Sequence, residues 1–323
     1  MSEKQKIKGF ALFLVISLFA VSASMCLDTE KESDDEIVFA HQDKVAGAAT
    51  IIAFEKGFFE EEGLNIRSMQ FSSGPACAEA LLYGDADFGT MGDTTAITSV
   101  SQGHPVTIIA SHGSGEDRHR LIVSDKSGIT NIEDLEGKSI GIKMGTSTHG
   151  GLLLFAERNG LDLDEEMLDL RPSEQLTAFA TGEVDAIVAS EPTPSIAEYN
   201  GYGRELTTLG GLDNTYPITI LVNNEFAENS PEKVTAILRV LQKATEFINE
   251  NPNEAAQIQA NIAGVDVEVI ENAMELHDYE LDMSNRTIES LESTAAFLMD
   301  IEKIREVPDF DIVADRSYIN ELN

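Results

Sequence analysis

Residues 79–93 read EALLYGDADFGTMGD, and residues 177–191 read TAFATGEVDAIVASE. With a shift of 98 positions, Gly84 falls on Gly182, Asp85 on Glu183, Asp87 on Asp185 and Asp93 on Glu191. Each copy spells the end of a helix, a tight glycine turn, a buried strand and a polar stop. The glycine suits a helix C-cap, because positive φ carries no steric penalty without a Cβ. The match extends backwards: Ile66–Ser73 and Met167–Ser173 read as the preceding strands, and Ile37–Ala40 and Ser139–Lys143 as the first strands. Two βαβαβ units in one chain predict an α/β protein of two similar lobes. In open α/β sheets ligands bind beyond the carboxyl ends of the strands, so a ligand cleft between the lobes follows.

The composition narrows the function. The chain has 323 residues, enough for two domains of roughly 100–200 residues each. With 57 acidic against 22 basic residues, its formal net charge is −35. Nucleic-acid binding needs a basic footprint and is excluded as an expectation; a soluble, self-repelling surface fits. The two cysteines, Cys26 and Cys77, make no disulfide framework. Cys77 sits in the first turn of an expected helix and reads as a packed thiol.

Residues 1–25 read as an export signal rather than as fold. Lys4, Lys6 and Lys8 precede the apolar run Phe10–Val21, which is shorter than the ~20 residues of a membrane-spanning helix. Ala23-Ser24-Met25-Cys26 follows, then an acidic stretch. One reading is lipidation at Cys26 with residues 26–35 as a tether; the other is simple cleavage near Ala23. In both, the mature protein is exported to the extracytoplasmic face.

Further strands are expected at Ala86–Met91, Val106–Ser111, Leu121–Ser124, Val184–Ala189 and Pro217–Val222. Helices are expected at Val45–Phe54, Pro75–Tyr83, Thr95–Gln102, Asn131–Leu135, Gly150–Asn159, Ser173–Ala180 (capped by Ser173) and Pro192–Tyr199. After Ser230-Pro231 the chain turns helical, with Val234, Ile237, Leu238, Leu241, Ala244, Phe247 and Ile248 on one stripe. Lacking a partner in the second lobe, these helices are expected to pack on the first. The first lobe is then residues 36–118 with 223–323, the second 119–222, hinged at Arg120–Val123 and Ile220–Asn223.

Segments FEKGFFEEEGLNI (54–66), LLYGDADFGTMGD (81–93), NIEDLEGKSIGIKMGTSTHGGLLLFAERNGLDLDE (131–165), GEVDAIVASEPTPSIAEYNGYGREL (182–206) and NSPEKVTAILRVLQKATEFINENPNEAA (229–256) carry a resemblance. The chain resembles the periplasmic solute-binding proteins of ABC importers in the nitrate/sulfonate/bicarbonate and taurine group, whose superfamily includes binders of thiamine-pyrimidine precursors. The resemblance implies a type II periplasmic-binding fold and capture of a small organic anion or zwitterion between hinged lobes. It also implies a monomer that delivers its ligand to an ABC permease and ATPase. The alternatives are a pyrimidine-type heterocycle, an enzyme on the same fold, and a sensing module for a receptor. No nucleophile–base pair stands out, and no cofactor or metal site is expected.

The candidate ligand residues sit at strand–helix turns. Gly145-Thr146-Ser147-Thr148 opens a helix, where free N–H groups, the dipole and hydroxyls make an anion seat. His149 is a weaker candidate, because a first-turn histidine is often simply exposed. Ser72-Ser73-Gly74 is the equivalent turn of the first lobe, and Thr94 and Thr95 begin another helix; all of these turns could equally be plain caps. His41 and Gln42 end the first strand, and Ser111 and His112 the fourth. Asp93 and Glu191, paired by the repeat, are expected to face each other across the cleft and to favour an ammonium or N–H donor. Arg118 and Arg120 could supply positive charge instead; Asp117 and His119 share that stretch.

Overall fold

A computed structural model describes residues 36–322. Residues 1–35, and with them the export signal, the tether and Cys26, lie outside the described residues. The fold is α/β and two-lobed, with one five-stranded sheet in each lobe. The first runs β2-β1-β3-β10-β4, from β1 (Ile37–Gln42), β2 (Ile66–Phe71), β3 (Phe88–Gly92), β4 (Val106–Ser111) and β10 (Ile218–Asn223). The second runs β7-β6-β8-β5-β9, from β5 (His119–Val123), β6 (Ile140–Ile142), β7 (Met167–Asp169), β8 (Ala186–Ser190) and β9 (Arg204–Thr208). In each sheet the first strand lies parallel between the other two of its unit, and one further strand joins antiparallel.

The repeated residues have equivalent jobs. Gly84 and Gly182 both hold left-handed backbone, with φ of 79° and 78°. Asp87 accepts a hydrogen bond from the Val38 N–H at 2.8 Å, and Asp185 one from the Ser139 N–H at 3.0 Å. A carboxylate at each position thus satisfies an N–H at the start of its unit's first strand, which would otherwise lie unpaired.

Three expectations need correction. The first concerns the lobe boundary. Ile218–Asn223 is bonded to β3 and β4, so the chain has already returned to the first sheet by Ile218 rather than after residue 222. The crossings therefore precede β5 and follow β9. The second concerns Ser173, which is not a cap. The helix Pro172–Thr181 starts after Arg171, whose N–H donates to the Glu174 carboxylate at 2.8 Å. The third concerns the C-terminal helices, which touch both lobes: Val267–Met274 packs on Thr193–Tyr199, and Asn285–Asp300 on Ser147–Asn159 as well as on Asp93–Ser101.

The helix Pro231–Glu250 buries Val234, Ile237, Leu238, Leu241, Ala244 and Ile248 against the first lobe's core, while Phe247 stays half-buried at the stripe's edge. At roughly 1.5–3 kcal/mol for each large aliphatic side chain, this stripe is a principal attachment of the C-terminal region. Among the described residues no helix is long and apolar enough to cross a membrane.

Candidate functional site

The carboxyl ends of β1, β3, β6 and β8 converge on a cavity of about 40 Å³ between the lobes. Gln42 ends β1, Gly92 ends β3, Lys143 follows β6 and Ser190 ends β8, and all four line it. At about 10–15 Å³ per water centre, the space suits a few waters or one small head group.

The lobes touch around this cavity. The Thr95 hydroxyl donates to the Gly145 carbonyl at 2.9 Å. Gly92 lies so close to the helix Ser147–Asn159 that a Cβ there would stand 2.0 Å from Ser147 Oγ. Gly150 meets Thr94 in the same way, with 2.5 Å from a would-be Cβ to the Thr94 hydroxyl. Both positions are tight because a side chain of the facing lobe abuts the glycine, not because of φ. Thr146 caps the second-lobe helix, accepting from the His149 N–H at 3.3 Å and donating to the Lys143 carbonyl at 2.7 Å.

Positive charge dominates the lining. Arg118 is 3% exposed, and its two terminal nitrogens donate to Ser190 Oγ at 3.0 Å and to the Tyr216 carbonyl at 2.9 Å. Both acceptors are neutral, and burial lowers the guanidinium only to about 10, so it stays charged at neutral pH. Burial pushes the Lys44 ammonium down to about 8, against the opposing pull of Asp43. Lys143, by contrast, is paired with Asp169 at 2.9 Å. Among the described residues no aspartate or glutamate lines the cavity.

Four lining residues each bury a polar atom without a partner among the described residues: Arg118 Nε, His119 Nε2, Ser147 Oγ and Gln175 Oε1. Leaving such a group unpaired costs about 1–3 kcal/mol. All four belong to residues that line the one cavity. His119 is neutral, since burial holds its pKa well below the ordinary value, and its Nδ1 lies 2.7 Å from the Thr148 hydroxyl.

The structure sorts the expected site residues. Gln42, Ser73, Gly74, Thr146, Ser147 and Thr148 line the cavity together, with Thr95 beside them. Gly145 contributes through its carbonyl, and His149 turns back to its own loop, where Nδ1 accepts from the Gly145 N–H at 3.2 Å. Ser72 and Thr94 fall outside the lining, and Ser111 closes its own turn by donating to the Gly113 carbonyl. His41 points into its lobe, 2.7 Å from Ser68 Oγ and stacked on Phe54. His112 is fully buried with both ring nitrogens unpartnered, also outside the lining.

Asp93 and Glu191 do not face each other across the cleft, because each is consumed by its own lobe's framework. Asp93 accepts from the Thr94 N–H at 2.6 Å, from Asn214 at 2.9 Å and from the Thr294 hydroxyl at 3.3 Å. Glu191 pairs with Arg120 at 2.9 Å, and Arg120 also binds Glu198 and Glu205. Burial raises the Glu191 pKa although Arg120 opposes the shift. The Arg120 charge is therefore not available to a ligand.

Sequence reasoning missed Lys44 and Gln175 and left Arg118 and His119 uncommitted. Lys44 had a signal, as the basic residue just beyond β1 in the otherwise apolar and small stretch that leads into Val45–Ala53. Gln175 had none: its place depends on how the helix Pro172–Thr181 meets the cleft. Cys77 is fully buried and burial pushes its thiol up, which keeps it from acting as a thiolate nucleophile. Among the described residues no group of His, Cys, Asp or Glu is placed to hold a metal ion.

The profile of the NMT1/THI5-like family matches residues 46–255 of the chain. The provisionally named aliphatic sulfonates-binding protein of Bacillus subtilis (strain 168) is 29% identical over 278 residues, 84% of this chain and 83% of that protein. A provisionally named binding protein of Brucella abortus (strain 2308) is 31% identical over 221 residues, 67% of this chain and 68% of that one. Among solved structures, the alkanesulfonate-binding protein SsuA from Xanthomonas axonopodis pv. citri, bound to MOPS, superposes with a TM-score of 0.80 at 22% identity, covering 88% of this chain and 99% of that one.

Proposed function

The chain belongs to the NMT1/THI5-like family, and from that premise we propose that it is the extracytoplasmic substrate-binding protein of an ABC importer, capturing a small organic oxyanion of the sulfonate class between its lobes. The observation that carries this reading is the cavity between the lobes, lined by Lys44 and Arg118 and, among the described residues, by no carboxylate. Arg118 is buried and Lys44 half-buried, and positive charges drawn out of water in this way are completed by an anion. The relatives named above as binding sulfonates agree with that chemistry.

The two crossings, before β5 and after β9, serve as the hinge, and the ligand favours the closed arrangement by touching both lobes. The ligand leaves unchanged, and a permease with its ATPase receives it. Residues 1–25 direct export, and Cys26 anchors the mature chain to the membrane through lipid. The protein works as a monomer.

Titration calorimetry with short alkanesulfonates tests the ligand class. Binding that fails for alkanesulfonates, taurine and nitrate alike, while a pyrimidine precursor binds, would move the chain to the heterocycle reading. Mass analysis of membrane-extracted protein tests the anchor: a mature chain beginning at Ser24 without acyl mass would remove it.

A further inference from the structure

Gln175 carries a second message about the ligand. It is 1% exposed, lies in the first turn of Pro172–Thr181 and lines the cavity. Its Nε2 donates to the Leu170 carbonyl at 2.9 Å. That bond fixes which end of the amide is oxygen, because a flipped amide would set oxygen against oxygen. Gln175 Oε1 is therefore an acceptor, and it has no donor among the described residues. The other unpaired lining atoms differ in kind. Arg118 Nε can only donate, and Ser147 Oγ and His119 Nε2 can each donate. An oxyanion satisfies all three and offers nothing to Gln175.

Resting on the oxyanion reading of this cleft, we propose that the ligand carries a neutral hydrogen-bond donor, a hydroxyl, beside its anionic group, and that Gln175 is the residue that reads it. An ammonium would also donate, but the lining holds Lys44 and Arg118 beside the Asp169-paired Lys143 and, among the described residues, no carboxylate to balance a further positive charge. Like charges within one dry pocket repel strongly. The ligand class is thus a hydroxyalkane oxyanion, in preference to both the bare alkane and the aminoalkane forms. This replaces the zwitterion expected from the Asp93–Glu191 pairing, since those carboxylates serve Asn214 and Arg120 instead.

Three size-matched probes decide the matter: ethanesulfonate, 2-hydroxyethanesulfonate and 2-aminoethanesulfonate, each titrated calorimetrically into the mature protein. The hydroxy compound is expected to bind roughly three- to tenfold tighter than ethanesulfonate, the range for one neutral hydrogen bond. The amino compound is expected to bind weakest. In Gln175→Met the hydroxy advantage should vanish while ethanesulfonate binding persists. Ethanesulfonate equal to or tighter than the hydroxy compound would overturn the proposal, as would an amino compound that binds tightest. An advantage that survives in Gln175→Met would remove Gln175 from the role. If that variant does not fold, the ranking on the unaltered protein still decides for or against the hydroxyl. Failure of all three probes would reject the oxyanion reading itself, a result distinct from a wrong ranking among them.

Discussion

Thr95 of the first lobe and Gly145 of the second are joined by a hydrogen bond of 2.9 Å from hydroxyl to carbonyl, at the rim of the ligand cavity. It is a direct bond between the lobes and involves no ligand atom. It therefore belongs to the closed arrangement and must break when the cleft opens. Thr95→Val keeps the shape and removes the donor. We expect ligand dissociation to accelerate by roughly three- to tenfold with little change in association, the worth of one neutral hydrogen bond. Stopped-flow displacement measures both rates, and an unchanged dissociation rate would show that closure does not use this contact.

Gly150 offers a cleaner separation of stability from function. It lies inside the helix Ser147–Asn159, where alanine is ordinarily favoured over glycine by about 0.5–1 kcal/mol. The added Cβ would stand 2.5 Å from the Thr94 hydroxyl of the facing lobe. Gly150→Ala should raise or preserve the melting temperature of the ligand-free protein and weaken ligand binding at least tenfold. Small-angle scattering should show less compaction on ligand addition. Wild-type affinity in this variant would mean that the lobes need not approach so closely.

Lys44 sets an alkaline limit. Burial lowers its ammonium to about 8, so the ligand-free pocket loses one of its positive charges as pH rises through that value. Oxyanion affinity should fall above about pH 8, and Lys44→Met should bind roughly ten- to hundredfold more weakly at neutral pH, with that alkaline fall abolished. Its apo stability should be equal or higher, because a desolvated charge has been removed. Calorimetric titration across pH, run on both proteins, checks each part.

Acid should loosen the fold through its histidines. Burial lowers His41 and His112 to about 4 and His277 to about 3, from an ordinary 6.5. The unfolded chain takes these protons first, so stability falls as pH drops from about 6.5 towards the folded-state values. Glu191 works in the opposite sense, since its raised pKa makes the folded state bind the proton more readily above the usual carboxylate range. His119 and His149 are lowered by burial as well, while Asp43 and Asp87 are raised like Glu191; five histidines against three carboxylates leave acid destabilising. His112 has no ring partner to lose, so His112→Phe should flatten the slope by up to roughly 3 kcal/mol between about pH 7 and about pH 4. Denaturant midpoints at several pH values read this directly.

Much of the architecture was legible before any coordinates. Val106–Ser111 is a strand with the expected bounds, and Ile66–Phe71 starts where the expected strand does and stops two residues short of Ser73, because turn residues flank each of them. The repeat gave the two matching units, since Gly84/Gly182 and Asp87/Asp185 perform backbone tasks that any such unit needs. Arg204–Thr208 escaped notice because RELTT is a half-exposed edge strand with one apolar residue. Ile218–Asn223 was recognised as a strand but placed in the wrong lobe, since an apolar run says nothing about which strands lie beside it.

The site divided along the same line. The hydroxyl turn at Thr146–Thr148 was readable because a helix start announces itself locally. Lys44, Arg118 and Gln175 come from three separate elements, and only the fold brings their side chains to one cavity. Asp93 and Glu191 misled because a repeat preserves structural duties as faithfully as functional ones.

The place of β10 bears on how this chain acquires its structure over time. It lies between β3 and β4 and pairs Gly92 with Ile218 and Ser111 with Thr219, so the edge strand β4 stays parted from the rest of the first sheet until the strands of the second lobe have been made. The second sheet, built wholly from residues 119–208, needs no such late arrival. The inserted lobe can therefore assemble first as a self-contained unit, and its completion brings the two edges awaiting β10 within reach of that strand at a reduced loop-closure entropy. The first lobe, although it begins the described chain, is the last to become complete.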